Sequence, residues 1–592
     1  MLFFDNNEIV SRLKTYPILS QFSRFELGKL VARSEVIELP AGDVLFHQGD
    51  PSDCVYYLMD GHLIGFSPES FKQSVVNIRS GEIIGELGVI TGEPRSLSIQ
   101  ANRESRLLKV EKKLFLKLFR SNAELLFLLT QKITKRLQNT LSGLRETHYP
   151  YKNIAIVITT SRLDVEQIKT TFRSFVKNEE AHIYDKAVFE SMKMEAVSFF
   201  YQCESYSGVN LFFSAYGDGH WLDETFDHAD YVYFITLEDR DTIDSHWLES
   251  LRNRPCDIVI IHHQKGPYSR TAQFYEKYAF KRHHHIQDRR EDYARLYRYM
   301  TGQAIGLVMS GGGFRGYAHC GLVKALFDAK VPIDAIGGSS VGAGIGAVLA
   351  IDFDWDFFEA FFMKCMKYIQ KAISFFQLTY PEVSILSGEE ATRLSQEFFG
   401  KYRIEDLPIN YFCVTGNLSE RLKELKKLGE LWEWLRASTS IPGIVPPFEK
   451  DGNLYVDGAV CTNLPSEDMR DYLDNAGTII ALDIRTPPLG HTKFHFPPSL
   501  PMINLLMNKM GMSKGEYTFP KLVEILTESS SMSQYIQDTQ DAKRVEIMIA
   551  PDTSSLSFFD GEKSAEQRFS SYGMALDILK EKEYLYKRWI EK

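Results

Sequence analysis

The sequence predicts a multidomain chain of mixed α/β and β class: an N-terminal β-roll with flanking helices, a middle α/β domain and a C-terminal α/β domain. Three observations carry this. The 592 residues exceed what one hydrophobic core organises, since chains past about 250–300 residues split into domains. From about Tyr16 to Lys109, short alternating segments are punctuated by Gly42, Gly49, Gly61, Gly81 and Gly92, the pattern of a small β-roll. From Ile154 onward, apolar runs alternate with helical stretches, as strands covered by helices do.

The first domain is placed at 1-149. Leu114, Leu118, Leu125, Leu128 and Ile133 recur at helical spacing, so one or two amphipathic helices close the roll. The middle domain, 150-300, carries the strands IAIVIT, VNLFFSAY, DYVYFITL and CDIVIIHH. The turn after its first strand, TTSRLD, has no glycine and no G-K-[ST]. The backbone cradle of a phosphate loop is therefore missing, and a scaffold or docking role is expected. His283, His284 and His285 follow in KRHHHIQDRR. Consecutive side chains cannot all point one way and no Asp/Glu/His set at ligand spacing follows, so they read as a solvated surface run and no metal site is expected. The last domain, 301-592 with its core at about 305-475, opens on the strand IGLVMS.

A net charge of −10 argues against a surface built for nucleic acid. Seven cysteines (Cys54, Cys203, Cys256, Cys320, Cys365, Cys413 and Cys461) stand singly, odd in number and with no C-x-x-C pair, which suggests neither a disulfide framework nor a zinc site and fits a reducing, cytoplasmic compartment. The opening MLFFDNNEIVSRLK lacks the parts of a signal peptide. The longest weakly polar stretch, Ala335 to Ile351, is glycine-rich and shorter than the ~20 residues of a membrane span. Any contact with lipid is expected from the surface, as a peripheral one.

Ser310 to Gly316 reads SGGGFRG between a strand and a helical pattern. Such a loop suits a dinucleotide site, a plain turn or an anion cradle. The next strand decides among them. Gly338-Ser339-Ser340-Val341-Gly342 is G-x-S-x-G between a strand and a small-residue helix, the arrangement that exposes a nucleophilic serine on a sharp turn. No acidic residue for a ribose ends that strand. The backbone N–H groups of Gly311, Gly312 and Gly313, in a loop completed by Gly316, then serve as an oxyanion hole, with Arg315 adding charge or bracing the loop. Downstream, NLYVDGAVCTNLP places Asp457 before Gly458 and Ala459, a carboxylate on a tight turn that suits a base for Ser340. An Asp-Gly turn alone would be ordinary. Three motifs in order on one α/β domain reverse that. The rival chemistry is a Ser-His-Asp triad with His319, His491 or His495 as base.

GGGFRG, GGSSVGAG and VDGAVCTNLP resemble the three signatures of the patatin-like phospholipases. The resemblance implies a patatin-type three-layer α/β/α hydrolase domain, a Ser340/Asp457 dyad, hydrolysis of lipid acyl esters and no required cofactor. TGQAIGLVMSGGGFRG, LTYPEVSILSG, LRASTSIPGIVPP and DGAVCTNLP, in that order, resemble neuropathy target esterase and its bacterial relatives over roughly residues 290 to 475. That group implies lysophospholipid or phospholipid substrates and cyclic-nucleotide-binding-like domains ahead of the hydrolase. The chain is read as departing from the animal esterases in lacking their transmembrane helix and in holding one sensor-like domain.

GEIIGELGVITGEPRSLSIQA, Gly81 to Ala101, resembles the phosphate-binding cassette of cyclic-nucleotide-binding domains. The resemblance makes a cyclic nucleotide the candidate regulatory ligand. Gly85 and Glu86 would open the helix on the phosphate, with Glu86 accepting from the ribose hydroxyl and Arg95 and Ser96 meeting the phosphate. Leu97 stands where that family has a small alanine. A second surface is the helix after the nucleophile, where Phe358, Phe361, Phe362, Cys365, Ile369, Ala372 and Phe376 share a face and Lys364, Lys367 and Lys371 another. It reads either as an interfacial helix or as a core helix with a solvated back. The whole is read as a serine esterase, with a lipid-binding protein gated by a cyclic nucleotide as the alternative.

Overall fold

The computed structural model describes residues 9–590 except for 11–12, 15–18, 20–21, 68–73, 121–129, 132–133, 135–150, 239–242, 373–377, 486–495, 500–524, 533–544, 557–564 and other runs of one to three residues. His491, His495 and Phe376 lie outside the described residues. The chain divides into two compact units, residues 1–264 with 278–303, and residues 265–277 with 304–592.

The first unit opens with eight strands: β1 (Glu35–Leu39), β2 (Val44–Phe46), β3 (Cys54–Asp60), β4 (His62–Phe66), β5 (Ser74–Arg79), β6 (Ile83–Ile84), β7 (Ser98–Ala101) and β8 (Ser105–Glu111). They form two four-stranded antiparallel sheets, ordered β1-β8-β3-β6 and β2-β7-β4-β5. The two-residue period of β3 explains the packing. Val55, Tyr57 and Met59 join Leu27, Leu30 and Phe115 from the helices Arg24–Val31 and Lys112–Arg120. Tyr56 and Leu58 point the other way, onto Leu63, Ile99 and Leu107. Helix Arg24–Val31 starts on a Ser23/Glu26 capping box.

The same unit continues into a six-stranded, wholly parallel sheet of β9 (Asn153–Ile158), β10 (Ala181–Asp185), β11 (Val209–Ala215), β12 (Tyr231–Leu237), β13 (Cys256–Ile261) and β14 (Arg282–Ile286), in the order β10-β11-β9-β12-β13-β14. β9, β12, β13 and β14 are buried along their whole length, as strands covered on both faces must be. β14 corrects a sequence expectation. His283, His284 and His285 are not a solvated run but the middle of a buried strand. His284 Nε2 lies 2.9 Å from Asp257 Oδ2 and His285 Nδ1 lies 2.8 Å from His262 Nε2. Burial pushes His283 down to about 3, so it enters as a neutral aromatic ring, which a core accepts.

The second unit is built on β15 (Ile305–Met309), β16 (Ala335–Gly338), β17 (Asn410–Asn417), β18 (Leu422–Lys426), β19 (Phe448–Lys450), β20 (Asn453–Asp457), β21 (Thr478–Leu482) and β22 (Ile547–Ile549). The order is β19-β20-β17-β16-β15-β21-β22, with β18 also on β17. β15, β16, β17, β21 and β22 run parallel, and β18 and β20 pair antiparallel to β17. The sheet therefore extends past residue 475. Residues 265–277 also join this unit, where Thr271 N–H donates to Asp406 Oδ1 at 3.1 Å. The helix Trp355–Ala372 turns Phe358, Phe362 and Met366 into the core. Its described apolar face is thus a core face, not an open membrane face, while Lys364 and Lys367 are exposed.

Candidate active site

β16 and the helix Val341–Ile351 meet at Ser340, whose φ of 53° and ψ of −127° put a non-glycine residue on a strained corner. The corner is held by what flanks it. A Cβ at Gly342 would stand 2.3 Å from the Met309 carbonyl oxygen, so only glycine lets this helix start so close to β15. Ser340 N–H donates to Ser438 Oγ at 3.2 Å, and Ser438 ends the helix Leu431–Ser438. The Ser340 hydroxyl donates to Asp457 Oδ2 at 2.7 Å across 117 residues of chain.

Asp457 closes β20 opposite Thr415 of β17. Its own N–H donates to the Ser440 carbonyl at 2.9 Å, and its Oδ1 accepts from Ala459 N–H at 2.8 Å. Gly458 is required beside it, since a Cβ there would lie 2.2 Å from the Val414 carbonyl oxygen. Asp457 is 3% exposed. Burial pushes its carboxyl up to about 7, against the lowering hydrogen bonds from Ser340 and Ala459. A carboxylate poised there exchanges protons at neutral pH.

The glycine loop departs from expectation in part. Gly311 N–H donates to Asn463 Oδ1 at 2.7 Å and is thus already engaged. Arg315 folds back, its N–H and Nε both 3.2 Å from the Gly312 carbonyl oxygen, contacts that brace the loop. Gly316 serves close packing against Val341. Among the described residues no acceptor meets the N–H groups of Gly312 and Gly313, and Gly313 lines the cavity beside Ser340. His319 is buried, 3.0 Å from the Ser310 carbonyl oxygen through Nε2. Burial pushes it down to about 4, and it makes no hydrogen bond to Ser340.

Ser340 lies at the edge of a cavity of about 240 Å³ whose wall is almost wholly apolar, with Ile345, Val348, Phe362, Leu394, Phe398 and Ile441 among its residues. The polar residues that sequence reasoning left without a role stand behind it. Arg436, in LRASTSIPGIVPP, reaches Thr392 Oγ1, Ser440 Oγ and the Pro446 carbonyl oxygen at 3.0, 2.5 and 3.3 Å. It therefore fixes the segment that holds both Ser340 and Asp457. Asn463, in CTNLP, and Ser438 were likewise visible only as parts of quoted motifs.

In the N-terminal cassette, Gly85 at φ 78° opens the helix Glu86–Thr91. Arg95 is 4% exposed; it donates to the carbonyl oxygens of Gly85 and Cys54 at 3.0 and 2.7 Å and stacks 4.3 Å over the Phe46 ring. Its guanidinium is thus occupied by the protein itself. Glu86 is buried, Ser96 is exposed and Leu97 packs against the inner core.

Comparison with known proteins matches residues 307–470 to the patatin-like phospholipase family and residues 36–122 to the cyclic nucleotide-binding domain. The patatin-like phospholipase domain-containing protein 6 of Mus musculus is 28% identical over 513 residues, covering 75% of this chain and 37% of that protein. The lysophospholipase nte1 of Neosartorya fischeri is 25% identical over 544 residues, covering 76% of this chain and 35% of that protein. An uncharacterized NTE family protein of Mycobacterium bovis is 26% identical over 571 residues, covering 92% of each. The chain thus spans little more than a third of the animal and fungal relatives and nearly all of the mycobacterial one. With a patatin-like phospholipase domain behind a cyclic nucleotide-binding domain, the chain is similar to the patatin-like phospholipases of the neuropathy target esterase type.

Proposed function

We propose that the chain is a serine esterase that hydrolyses acyl esters of lysophospholipids or phospholipids, with Ser340 as nucleophile and Asp457 as base. The observation that carries this is the 2.7 Å hydrogen bond from the Ser340 hydroxyl to a buried carboxylate at the wall of an apolar cavity. In the first step Asp457 takes the hydroxyl proton as Ser340 Oγ attacks the ester carbon, and the negative charge develops on the carbonyl oxygen. The N–H groups of Gly312 and Gly313 are the donors left for that charge. Collapse breaks the ester C–O bond, and Asp457 returns its proton to the leaving alcohol. Water then attacks the acyl-serine carbon, its proton passing through Asp457 to Ser340, and the fatty acid leaves. No cofactor enters.

The three-domain division at 149 and 300, action on a lipid surface from the cytoplasm, and regulation by a cyclic nucleotide belong to the same proposal. For that ligand, Arg95 would have to exchange its carbonyl partners for the phosphate. The lipid-binding alternative is disfavoured by the elbow, because a lipid carrier has no use for a strained serine on a carboxylate. Fluorophosphonate labelling tests the nucleophile. Ser340→Ala is expected to fold, lose all labelling and lose hydrolysis of a lysophospholipid and phospholipid panel; full labelling of this variant would remove Ser340 from the mechanism.

A further inference from the structure

The segment Leu378–Leu386 stands out because its tip, 378–383, holds Leu378, Tyr380 and Val383 exposed beside Thr379 and Glu382, and because it is pinned by backbone hydrogen bonds. Residues 378–383 are all exposed, with Tyr380 83%, Val383 63% and Leu378 49% accessible. Apolar side chains so open ordinarily collapse or move. Here Leu378 bridges Leu386, Thr379 N–H donates to the Ile385 carbonyl oxygen at 3.0 Å, and Ser384 Oγ donates to the Leu386 carbonyl oxygen at 2.7 Å. Ile385 and Leu386 N–H then donate to the carbonyl oxygens of Gly443 and Ile444 at 3.0 and 2.9 Å. The fold holds these side chains out in water.

The second observation is where the base of the loop leads. Leu386, Ile441 and Ile444 all line the cavity that holds Ser340. The exposed tip is therefore joined to the inner apolar wall through Leu386, which bridges Leu378 and lines the cavity. We propose that residues 378–383 are the membrane-docking surface of this protein, inserting Leu378, Tyr380 and Val383 into the interface of a lipid bilayer so that an acyl chain passes from bilayer to cavity along apolar side chains. Tyr380 suits that depth, with an apolar ring and a polar tip. The occupant is a lipid surface rather than a protein groove because the cavity behind the loop is almost wholly apolar and Ser340, the nucleophile of the esterase reading, is part of its lining. This identification rests on the esterase reading above. The role that the sequence offered to the helix Trp355–Ala372 passes to this loop, since that helix spends its described apolar face on the core.

The test separates docking from catalysis. Full-length protein carrying Ser340→Ala, which leaves the lipid intact, is mixed with sonicated phosphatidylcholine vesicles and the bound fraction read by flotation, with and without Tyr380→Ser plus Val383→Ser. Removing two inserted side chains is expected to weaken partition about tenfold or more, equally at low and high salt, because the attraction is apolar. In the Ser340-intact protein the same pair is expected to slow hydrolysis of vesicle lipid while leaving kcat/KM for a dissolved short-chain ester and the melting temperature unchanged. Equal partition of both proteins, or none by the parent, overturns the proposal. So does a parent dimer by light scattering that the variant dissociates, which would make a second copy the occupant, or an equal loss on the dissolved ester. Because flotation needs no turnover, failure of Ser340 to label would sink the esterase reading and leave the docking result standing.

Discussion

Asp457 is held where its charge is costly, and two measurable consequences follow. Its carboxyl is raised from 3.8 to about 7 by burial, so as a base it works only where it is ionised. The rate of acylation is expected to climb with pH through about 7 and level off above it. Asp457→Asn keeps the shape but removes the acceptor, and is expected to cost on the order of 10²–10⁴-fold in turnover. The same residue sets a stability trend of definite sign. Protonated in the fold but ionised in the unfolded chain, it contributes stability that is complete below about 4 and is lost as the pH rises through about 7. The Asn variant has no such group. Its melting temperature is expected to gain on that of the parent as the pH goes from 5 to 8.5, by the equivalent of a few kcal/mol at about 1.36 kcal/mol per pKa unit. Parallel melting curves at every pH would show that Asp457 is not raised.

At the scale of elements, the elbow between β16 and the helix Val341–Ile351 depends on one missing methyl group. A Cβ at Gly342 meets backbone, 2.3 Å from the Met309 oxygen and 2.6 Å from that of Ser310, and backbone cannot step aside. Gly342→Ala is expected to cost about 1–3 kcal/mol and to slow fluorophosphonate labelling of Ser340. Two residues on, Gly344 has open space beside it, so Gly344→Ala is expected to be neutral or stabilising by up to about 1 kcal/mol. If the two variants melt alike, the close approach is not what demands glycine at 342. This dependence explains what the sequence made legible. Glycine, serine and aspartate at fixed spacing are demanded by backbone geometry, so the motifs pointed to Ser340 and Asp457 before any fold was known. Asn463, Ser438 and Arg436 act through side-chain hydrogen bonds from a loop and a helix end, which carry no spacing signature. The strand RHHHI was misread for a related reason. Its polarity is real, but the partners that make it tolerable in a core, Asp257 and His262, sit on a different stretch of chain. The helix Trp355–Ala372 shows an amphipathic face that says only that something apolar covers it, and the sequence left open whether that is lipid or protein.

At the scale of the whole first unit, what joins the antiparallel strands to the parallel sheet is a buried ion cluster. Arg103, 3% exposed in its side chain, leaves β7 and pairs with Asp60 of β3, with Glu204 and with Asp230; its Nε lies 3.0 Å from Asp230 Oδ1. Asp230 in turn accepts from the N–H groups of Lys152 and Asn153 at 3.0 Å each, at the entry to β9. One guanidinium thus pairs with carboxylates from both parts of the unit, with His62 Nδ1 3.7 Å from Asp230 Oδ1 beside it. Replacing a buried partner leaves the others uncompensated, which costs about 3–5 kcal/mol. Arg103→Leu is therefore expected to lower the melting transition of this unit markedly. Asp230→Asn in the Arg103→Leu background is expected to recover part of the loss, because it removes one of the stranded charges, and the two changes together should fall short of the sum of their separate effects. Calorimetry of the four proteins reads this directly. Additive effects, or an Arg103→Leu transition at the parent temperature, would show that the two parts are held together by their apolar contacts and not by this cluster.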